Sequence, residues 1–230
     1  MDKLLDEIES YWSTRTEGYS EVNEKELKGM QKKAWLKTLE SGFLEKKLSD
    51  NDKEQLRILD IGTGPGFFPM ILAEAGYHVT AVDYTPGMLE KAAENAAKFI
   101  GEKSSNIEFK RMDAQALEFE DESFDVIISR NLTWTLPHVR HAYQEWLRVL
   151  KKGGVLLNFD ANYGITDFSN VEDLPENHAH NTLGNDMMRE CEEIKRQLPI
   201  SSYSRPAWDL ETLGSMDLKD FRVDLGISSR

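Results

Sequence analysis

The stretch LDIGTGPGF, residues 59–67, decides the fold of this chain. It follows a short apolar run, Arg57–Ile61, and precedes a helical pattern that extends over Phe67–Ala75 and stops at Gly76. Glycines let the backbone turn sharply and approach a ligand closely, because no Cβ stands in the way. The N–H groups that open the following helix favour an anionic or polar group. The stretch therefore predicts a strand, a ligand-binding turn and a helix.

Outward from this turn, strand patterns alternate with helical ones. This alternation predicts an α/β fold with a doubly wound, mainly parallel sheet covered on both faces. Ligands of such sheets lie beyond the carboxyl ends of the strands, at the switch point. The predicted strands are Arg57–Ile61, His78–Asp83, Ile107–Met112, Phe124–Ser129, Val155–Asp160 and a late one at Phe221–Leu225, and further helices are predicted from Pro86 to Ile100 and from Val139 to Leu150.

The first 50 residues predict a helical cap. Leu4, Leu5, Ile8, Tyr11 and Trp12 fall on one helical face, and a polar link follows them. A second helical stretch is predicted from about Asn23 to Leu48, with Asn23 as N-cap and Glu26 completing a capping box. The polar residues 49–55 mark the boundary, so the predicted domains are 1–50 and 51–230. An insertion at about 161–205, with one helix near 184–198, interrupts the second domain.

Composition and charge restrict the function classes. The 230 residues include 28 basic and 41 acidic ones, a net charge of −13, and they show no basic stripe. Binding to nucleic acid or to an anionic membrane is therefore disfavoured. The N-terminal segment lacks the apolar core of a signal peptide, and no apolar run approaches the length of a membrane span. The single cysteine, Cys191, fits a reducing compartment, so we expect a cytoplasmic protein with an inert thiol.

The glycine spacing and its acidic neighbours favour one kind of ligand. The spacing is G-x-G-x-G, whereas the dinucleotide fingerprint is G-x-G-x-x-G/A, and Phe67 occupies the position of its last glycine. Asp60, Asp83 and Asp113 each lie at or just after the end of a predicted strand. A carboxylate at the second strand end can accept hydrogen bonds from both hydroxyls of a ribose. These residues favour a ligand with a ribose, a base and a positive charge over a dinucleotide.

Five segments in this order resemble the class I S-adenosylmethionine-dependent methyltransferases, especially the small-molecule type 11 group. They are LDIGTGPGF, VTAVDYTPGML, FKRMDAQAL, FDVIISRNLTWTL and LKKGGVLLNF, which together cover about residues 57–160. The resemblance implies an S-adenosyl-L-methionine cofactor and a Rossmann-like methyltransferase fold. The cofactor-binding residues that it implies are Tyr19, Asp60, Gly62, Thr63, Gly64, Gly66, Asp83, Tyr84, Met88, Asp113, Ala114, Arg130 and Asn131.

Within this resemblance each residue has an expected role. The glycines would surround the methionine portion, with Asp60 holding its amino group, and Asp83 would bind the ribose hydroxyls. Tyr84 and Met88 would contact the adenine, and Asp113 and Ala114 would bind its edge. Arg130 and Asn131 would line the side that faces the methyl group.

The cap adds a second similarity, because Trp12, Arg15 and Tyr19 resemble a W-x-x-R-x-x-x-Y pattern that precedes the core in relatives. It implies a cap that closes over the cofactor, with Tyr19 and Arg15 near its carboxylate. We expect the methyl acceptor to be a small organic molecule that contacts the cap and the insertion. Candidate acceptor-binding residues are Trp12, His138, Asn162, Tyr163, His178 and Trp208.

Several alternatives stay open at this stage. No catalytic residue is identified, although a base role is considered for His138 and His141. His178 and His180 have no third ligand at metal-binding spacing, so no metal is expected. A non-catalytic S-adenosylmethionine-binding protein and an NAD-dependent oxidoreductase are the competing functions, and the missing dinucleotide fingerprint argues against the latter.

The sequence after the late strand raises a separate expectation. Relatives usually carry a further antiparallel strand, whereas this sequence ends five residues after Leu225. The sheet is thus expected to lack its last strand or to have an unusual edge. Because an uncovered strand edge invites pairing, we expect the C-terminal end to be poorly ordered or to lie at a homodimer contact.

Overall fold

The computed structural model describes residues 3–44, 53–165, 184–216 and 218–226. Its strands are β1 (Arg57–Ile61), β2 (His78–Asp83), β3 (Ile107–Arg111), β4 (Phe124–Arg130) and β5 (Leu150–Phe159). Its helices are α1 (Lys3–Lys28), α2 (Gln31–Leu44), α3 (Phe67–Glu74), α4 (Pro86–Ile100), α5 (Val139–Val149), α6 (Asn185–Gln197) and α7 (Ala207–Gly214).

The strands form one parallel sheet in the order β3-β2-β1-β4-β5. The chain order reverses between β1 and β4, so this pair is the switch point at which a crevice opens beyond the carboxyl ends. The ends of both strands carry residues that the sequence analysis selected, because β1 leads into the glycine turn and β4 ends at Arg130. The predicted doubly wound α/β fold with N-terminal helices is confirmed.

Apolar side chains cover both faces of the sheet. On one face, Tyr143 and Trp146 of α5 are fully buried against the strands. On the other, α3 contributes an almost wholly apolar helix that includes Met70 and Ile71. Burial on both faces explains why β4 has the continuous apolar run that a central parallel strand shows. The core thus fixes the strand ends that form the crevice.

The predicted break within the first helix is wrong. Helix α1 continues through the polar residues 13–22, and Asn23 is buried inside it rather than capping a second helix. The polar residues form a face that contacts α4, where the Asn95 Nδ2 donates to Ser20 Oγ across 3.0 Å. The break comes instead after Lys28, at Gly29 and Met30. The predicted end of the second helix and the polar boundary lie largely in residues 45–52, outside the described residues.

Two strand predictions need correction. Strand β5 begins at Leu150 rather than Val155, and it contains an irregularity because Phe124 pairs with Leu150 while Val126 pairs with Val155. The late strand at Phe221–Leu225 is wrong, since these described residues form no strand. Their apolar side chains alternate along the sequence, as in a strand with one buried face, but in the structure these side chains are exposed.

Within the described ranges, no helix is both long enough and apolar enough to cross a bilayer. The strand order leaves β5 at one edge of the sheet, paired only with β4 among the described strands. The domain boundaries and the dimer contact stay predictions.

Candidate functional site

The glycine turn between β1 and α3 has three glycines with positive φ, and each has a different reason to lack a side chain. A Cβ on Gly62 would lie 2.7 Å from the Leu132 side chain, and one on Gly66 would lie 3.0 Å from Ala92 on α4. A Cβ on Gly64, where φ is +53°, would meet no protein atom within 4 Å. Gly62 and Gly66 therefore allow close internal contacts, whereas Gly64 leaves open space at the cavity wall.

Asp83, the last residue of β2, holds this turn in place. Its Oδ2 accepts a hydrogen bond of 2.8 Å from the Gly64 N–H, and its Oδ1 accepts one of 2.9 Å from the Thr85 N–H. Burial raises the pKa of Asp83, while the hydrogen bonds from Thr85 and Gly64 oppose that rise. Each carboxylate oxygen retains a second lone pair, so the group can also accept from two hydroxyls.

Asp60 lies behind the turn and does not line the cavity. Its side chain is only 2% exposed. Burial raises its pKa to about 7, the nearby Asp83 carboxylate adds to the rise, and Thr63 and Arg130 oppose it. A carboxyl group with this pKa can gain or lose a proton near neutral pH, and a cation placed nearby would favour its charged form.

The residues that follow β3 form a tight, hydrogen-bonded loop. The Asp113 Oδ1 accepts from the Gln115 N–H at 2.8 Å, and the Ala114 carbonyl accepts from the Trp146 Nε1 at 2.8 Å. The buried Gln115 side chain in turn accepts from the His138 N–H at 2.8 Å. The loop therefore presents Asp113 and Ala114 to the cavity from a fixed backbone.

Arg130 ends β4 and is paired with a residue of α1. Its Nη1 and Nη2 donate to Glu26 Oε2 and Oε1 across 3.0 and 2.6 Å. Its guanidinium also lies over the rings of Trp35, Phe67 and Phe68, at 4.8, 5.4 and 5.6 Å from their centroids. Burial acts to lower the pKa of Arg130, but the Glu26 carboxylate gives a net rise, so the residue is charged.

Asn131 has a left-handed backbone, with φ of +56°, at the cavity wall. Its Nδ2 donates to the Tyr19 Oη at 3.3 Å, and its Oδ1 accepts from the Tyr163 Oη at 3.4 Å. Its main-chain N–H and carbonyl are bonded as well, to Phe159 and Trp134, both at 2.8 Å. This conformation is uncommon outside glycine and concentrates at functional sites, where the surroundings hold it.

Helix α1 forms the opposite wall with an aromatic surface. The Trp12 Nε1 donates to the Thr135 Oγ1 at 3.3 Å, and its ring contacts those of Tyr19 and Trp134 edge to face. Arg15 lies instead on the side of α1 that faces α6, with its guanidinium 6.0 Å from the Tyr11 ring. The cap therefore closes over the strand ends, and Tyr19 rather than Arg15 reaches the cavity.

These elements enclose a cavity of about 740 Å³, open mouth included, at the carboxyl ends of β1, β2 and β4. The predicted residues that line it are Trp12, Tyr19, Gly62, Gly64, Asp83, Tyr84, Met88, Asp113, Ala114, Arg130 and Asn131.

Other predicted residues lie elsewhere. Asp60, Thr63 and Gly66 support the turn from behind, and His138 is exposed at the start of α5. Tyr163 does not line the cavity but contacts Asn131, which does. Asn162 and Trp208 do not line the cavity, and His178 and His180 lie outside the described residues. No group of three His, Cys, Asp or Glu side chains in the described part of the chain could hold a metal ion.

Several lining residues were not predicted from the sequence. Leu5 and Ile8 had been assigned to an apolar helix face without a role in the site, and Glu9 had no signal at all. Among the described residues that line the cavity, the charged ones are Glu9, Asp83, Asp113 and Arg130. Three of these four side chains are acidic, so the cavity as a whole suits a cationic ligand with hydroxyl groups.

Comparisons with known proteins show what this chain is similar to. Residues 59–158 match the family model described as a methyltransferase domain. An arsenite methyltransferase of Halobacterium salinarum is 38% identical over 100 residues, which cover 42% of this chain and 25% of that enzyme. A demethylmenaquinone methyltransferase of Clavibacter sepedonicus is 38% identical over 98 residues, which cover 43% of this chain and 38% of that enzyme. The chain thus spans about a quarter to two fifths of the length of these curated relatives.

A solved structure supports the same assignment at the level of the fold. It is a Methanococcus maripaludis protein described as a candidate S-adenosyl-L-methionine-dependent methyltransferase, with 22% identity and a TM-score of 0.50. The alignment covers 74% of this chain and 73% of that protein. Residues 59–158 are therefore similar to a methyltransferase domain, and the fold of the chain is that of the solved methyltransferase-like structure.

Proposed function

We propose that this protein transfers a methyl group from S-adenosyl-L-methionine to a small organic acceptor. The observation that carries the proposal is the acidic cavity at the carboxyl ends of β1, β2 and β4. There Asp83 accepts a hydrogen bond from the Gly64 N–H of the glycine turn. S-adenosyl-L-methionine is a cation with a ribose diol, an adenine and a zwitterionic tail. Each of these groups has a chemically suited partner in the cavity.

The residues present fit this cofactor. Gly64 leaves space that a Cβ would fill, so a ligand can lie against the turn. Asp83 would accept from the ribose hydroxyls, and Asp113 with Ala114 would hold the adenine edge beside Tyr84 and Met88. The buried Asp60 would add negative charge behind the turn, near the cationic end of the ligand.

The bound cofactor supplies an electrophilic methyl group on a sulfonium. The protein would align the acceptor with that group and exclude water, and such alignment can lower a barrier by about 7–11 kcal/mol. Helix α1 provides the exclusion, because Leu5, Ile8 and Trp12 cover the cavity from the cap side. His138 is exposed and away from the cavity wall, so we assign it no base role.

The nature of the acceptor is also part of the proposal. The two curated relatives carry arsenite and demethylmenaquinone in their names, which favours a small acceptor. Arsenite itself is not the acceptor that we favour, because soft centres prefer thiolates and Cys191 is buried on α6, where burial raises its pKa. The aromatic wall formed with Trp12 and Tyr19 suits an organic molecule instead.

Charge, cysteine content and the sheet edge bear on cellular location and partners. A net charge of −13 disfavours binding to nucleic acid or an anionic membrane, and a lone cysteine fits the cytoplasm. We propose that β5, which lies at the sheet edge among the described strands, takes part in a homodimer contact. Sedimentation at several protein concentrations tests this, and a monomer throughout would refute it.

Calorimetry with S-adenosylhomocysteine and with NAD tests the cofactor assignment. We expect the first ligand to bind and the second not to. Binding of NAD without S-adenosylhomocysteine would favour an oxidoreductase and overturn the proposal. A screen of organic acceptors with methyl-labelled S-adenosylmethionine then distinguishes an enzyme from a non-catalytic binding protein. Any acceptor-dependent transfer of label excludes the non-catalytic protein.

A further inference from the structure

The pair formed by Glu26 and Arg130 is the most enclosed ion pair between α1 and the methyltransferase domain within the described residues. Their side chains are only 15% and 23% exposed, and two hydrogen bonds connect them. The other ion pairs in this interface, Glu17 with Lys91 and Glu24 with Lys98, each include a side chain that is more than half exposed. Exposed pairs contribute little, so the contact at Arg130 dominates the electrostatic attachment of the helix.

The surroundings of Arg130 fix its position. Trp35 from α2 and Phe67 and Phe68 from α3 lie beneath the guanidinium, so little water can replace a lost partner. In such apolar surroundings, removing one member of an ion pair leaves a charge without compensation. Arg130 therefore depends on Glu26 both for its charge balance and for its orientation.

Arg130 is also the single cation among the described residues that line the cavity. A ligand with an anionic group would place that group beside it, since Glu9, Asp83 and Asp113 repel anions elsewhere on the wall. The pair with Glu26 uses two of the five N–H donors of a guanidinium. The remaining donors are available to a second carboxylate.

We propose that Arg130 binds the carboxylate of the cofactor's amino-acid portion and that Glu26 is a positioning residue, which holds Arg130 in place for this contact. The inference rests on the proposed function, because the carboxylate belongs to S-adenosylmethionine or its product. Glu26 itself touches no ligand. It acts through the orientation of the arginine.

The same contact links the cap to the cofactor. Glu26 lies in the last turn of α1, and the same helix contributes Glu9, Trp12 and Tyr19 to the cavity wall. A ligand that stabilises the arrangement of Arg130 stabilises the docked helix, and the docked helix strengthens ligand binding by the same factor. Binding of the cofactor's carboxylate and docking of this end of α1 are thus coupled.

The test compares Glu26→Gln with Glu24→Gln, which removes a carboxylate two positions earlier on the same helix from a more exposed pair. Calorimetry measures two ligands: S-adenosylhomocysteine, which carries the amino-acid portion, and 5′-methylthioadenosine, which lacks it. We expect Glu26→Gln to weaken S-adenosylhomocysteine binding by about tenfold or more and to leave methylthioadenosine binding within about twofold of wild type. Glu24→Gln should change neither.

The other outcomes are equally informative. Equal S-adenosylhomocysteine affinity in wild type and Glu26→Gln would overturn the inference but leave the proposed function intact. An equal loss for both ligands would assign Glu26 a purely structural role and also overturn it. If the wild type binds neither ligand, the proposed function fails as well. Should Glu26→Gln not fold, as judged by circular dichroism, Glu26→Asp keeps the charge and must show a loss confined to S-adenosylhomocysteine.

Discussion

The Arg205 guanidinium donates to the Asp160 carboxylate across 3.1 Å, with both side chains about 95% buried. Asp160 directly follows β5, and its Oδ2 also accepts from the Thr133 hydroxyl and the Trp134 N–H. Arg205 makes two further bonds of 2.7 Å to Asp209 on α7. This pair therefore joins the segments that follow β4 and β5 to the segment that leads into α7, just behind Asn131.

Replacement of Arg205 by methionine should destabilise the protein strongly. The variant leaves the buried carboxylates of Asp160 and Asp209 without their cation, and breaking a buried pair costs about 3–5 kcal/mol. Urea unfolding measures the loss. Arg189→Met is the matched control, because Arg189 pairs with Asp186 on the exposed surface of α6 and should lose less than about 1 kcal/mol. Similar losses in the two variants would contradict the account.

The open space at Gly64 predicts a selective effect on ligand binding. Gly64 and Gly101 both have φ of +53°, and a Cβ on either would meet no protein atom within 4 Å. Alanine at Gly64 should cost about 1–2 kcal/mol of stability because φ is positive there. Alanine at Gly101, where ψ is −125°, should cost at least as much. Only Gly64→Ala should weaken S-adenosylhomocysteine binding, by about tenfold or more, because its methyl group enters the cavity. Equal affinities of the two variants in calorimetry would refute the role of Gly64.

The raised pKa of Asp60 predicts how stability depends on pH. Burial raises this pKa from 3.8 to about 7 in the folded protein. Below pH 3.8 Asp60 is protonated in both the folded and the unfolded state. Between pH 3.8 and about 7 the unfolded state loses the proton while the folded state keeps it, so the free energy of unfolding falls as the pH rises, by about 4 kcal/mol at most. Subtracting the pH profile of Asp60→Asn from that of the wild type, both without ligand, isolates the effect. A flat difference between pH 5 and 8 would show that Asp60 titrates normally.

The sequence predicted the elements around the glycine turn well. Strands β1 and β2 match the structure residue for residue, and α4 begins at Pro86 and ends before Gly101 as expected. These elements have glycine or proline at their boundaries, and burial on both sheet faces gives the strands unambiguous apolar runs. The local sequence therefore contains enough information to define them.

The errors arose where the decisive contacts are distant in sequence. In sequence, the polar residues of α1 look like a linker. In the structure they form a helix face, where Ser20 accepts a hydrogen bond from Asn95, 75 residues away. Phe221–Leu225 has strand-like alternation, but a strand also needs a partner edge, which a local pattern does not reveal. The contact of Glu26 with Arg130 spans 104 residues and leaves no local signal. Motif spacing thus identified much of the cavity wall on the strand side, together with Trp12 and Tyr19 of the cap, whereas Glu9 and the contact of Glu26 with Arg130 required the structure.

The most direct test of the central claim is a titration of Asp83→Asn with S-adenosylhomocysteine. Asp125→Asn is the control, because Asp125 also accepts a backbone N–H, from Arg57 at 3.0 Å, but at the amino ends of the strands. Loss of the charged acceptor for two ribose hydroxyls should reduce affinity by about a hundredfold in Asp83→Asn, while Asp125→Asn binds as the wild type does. An Asp83→Asn protein that is folded and binds within twofold of the wild type would contradict the assignment of this cavity to the cofactor.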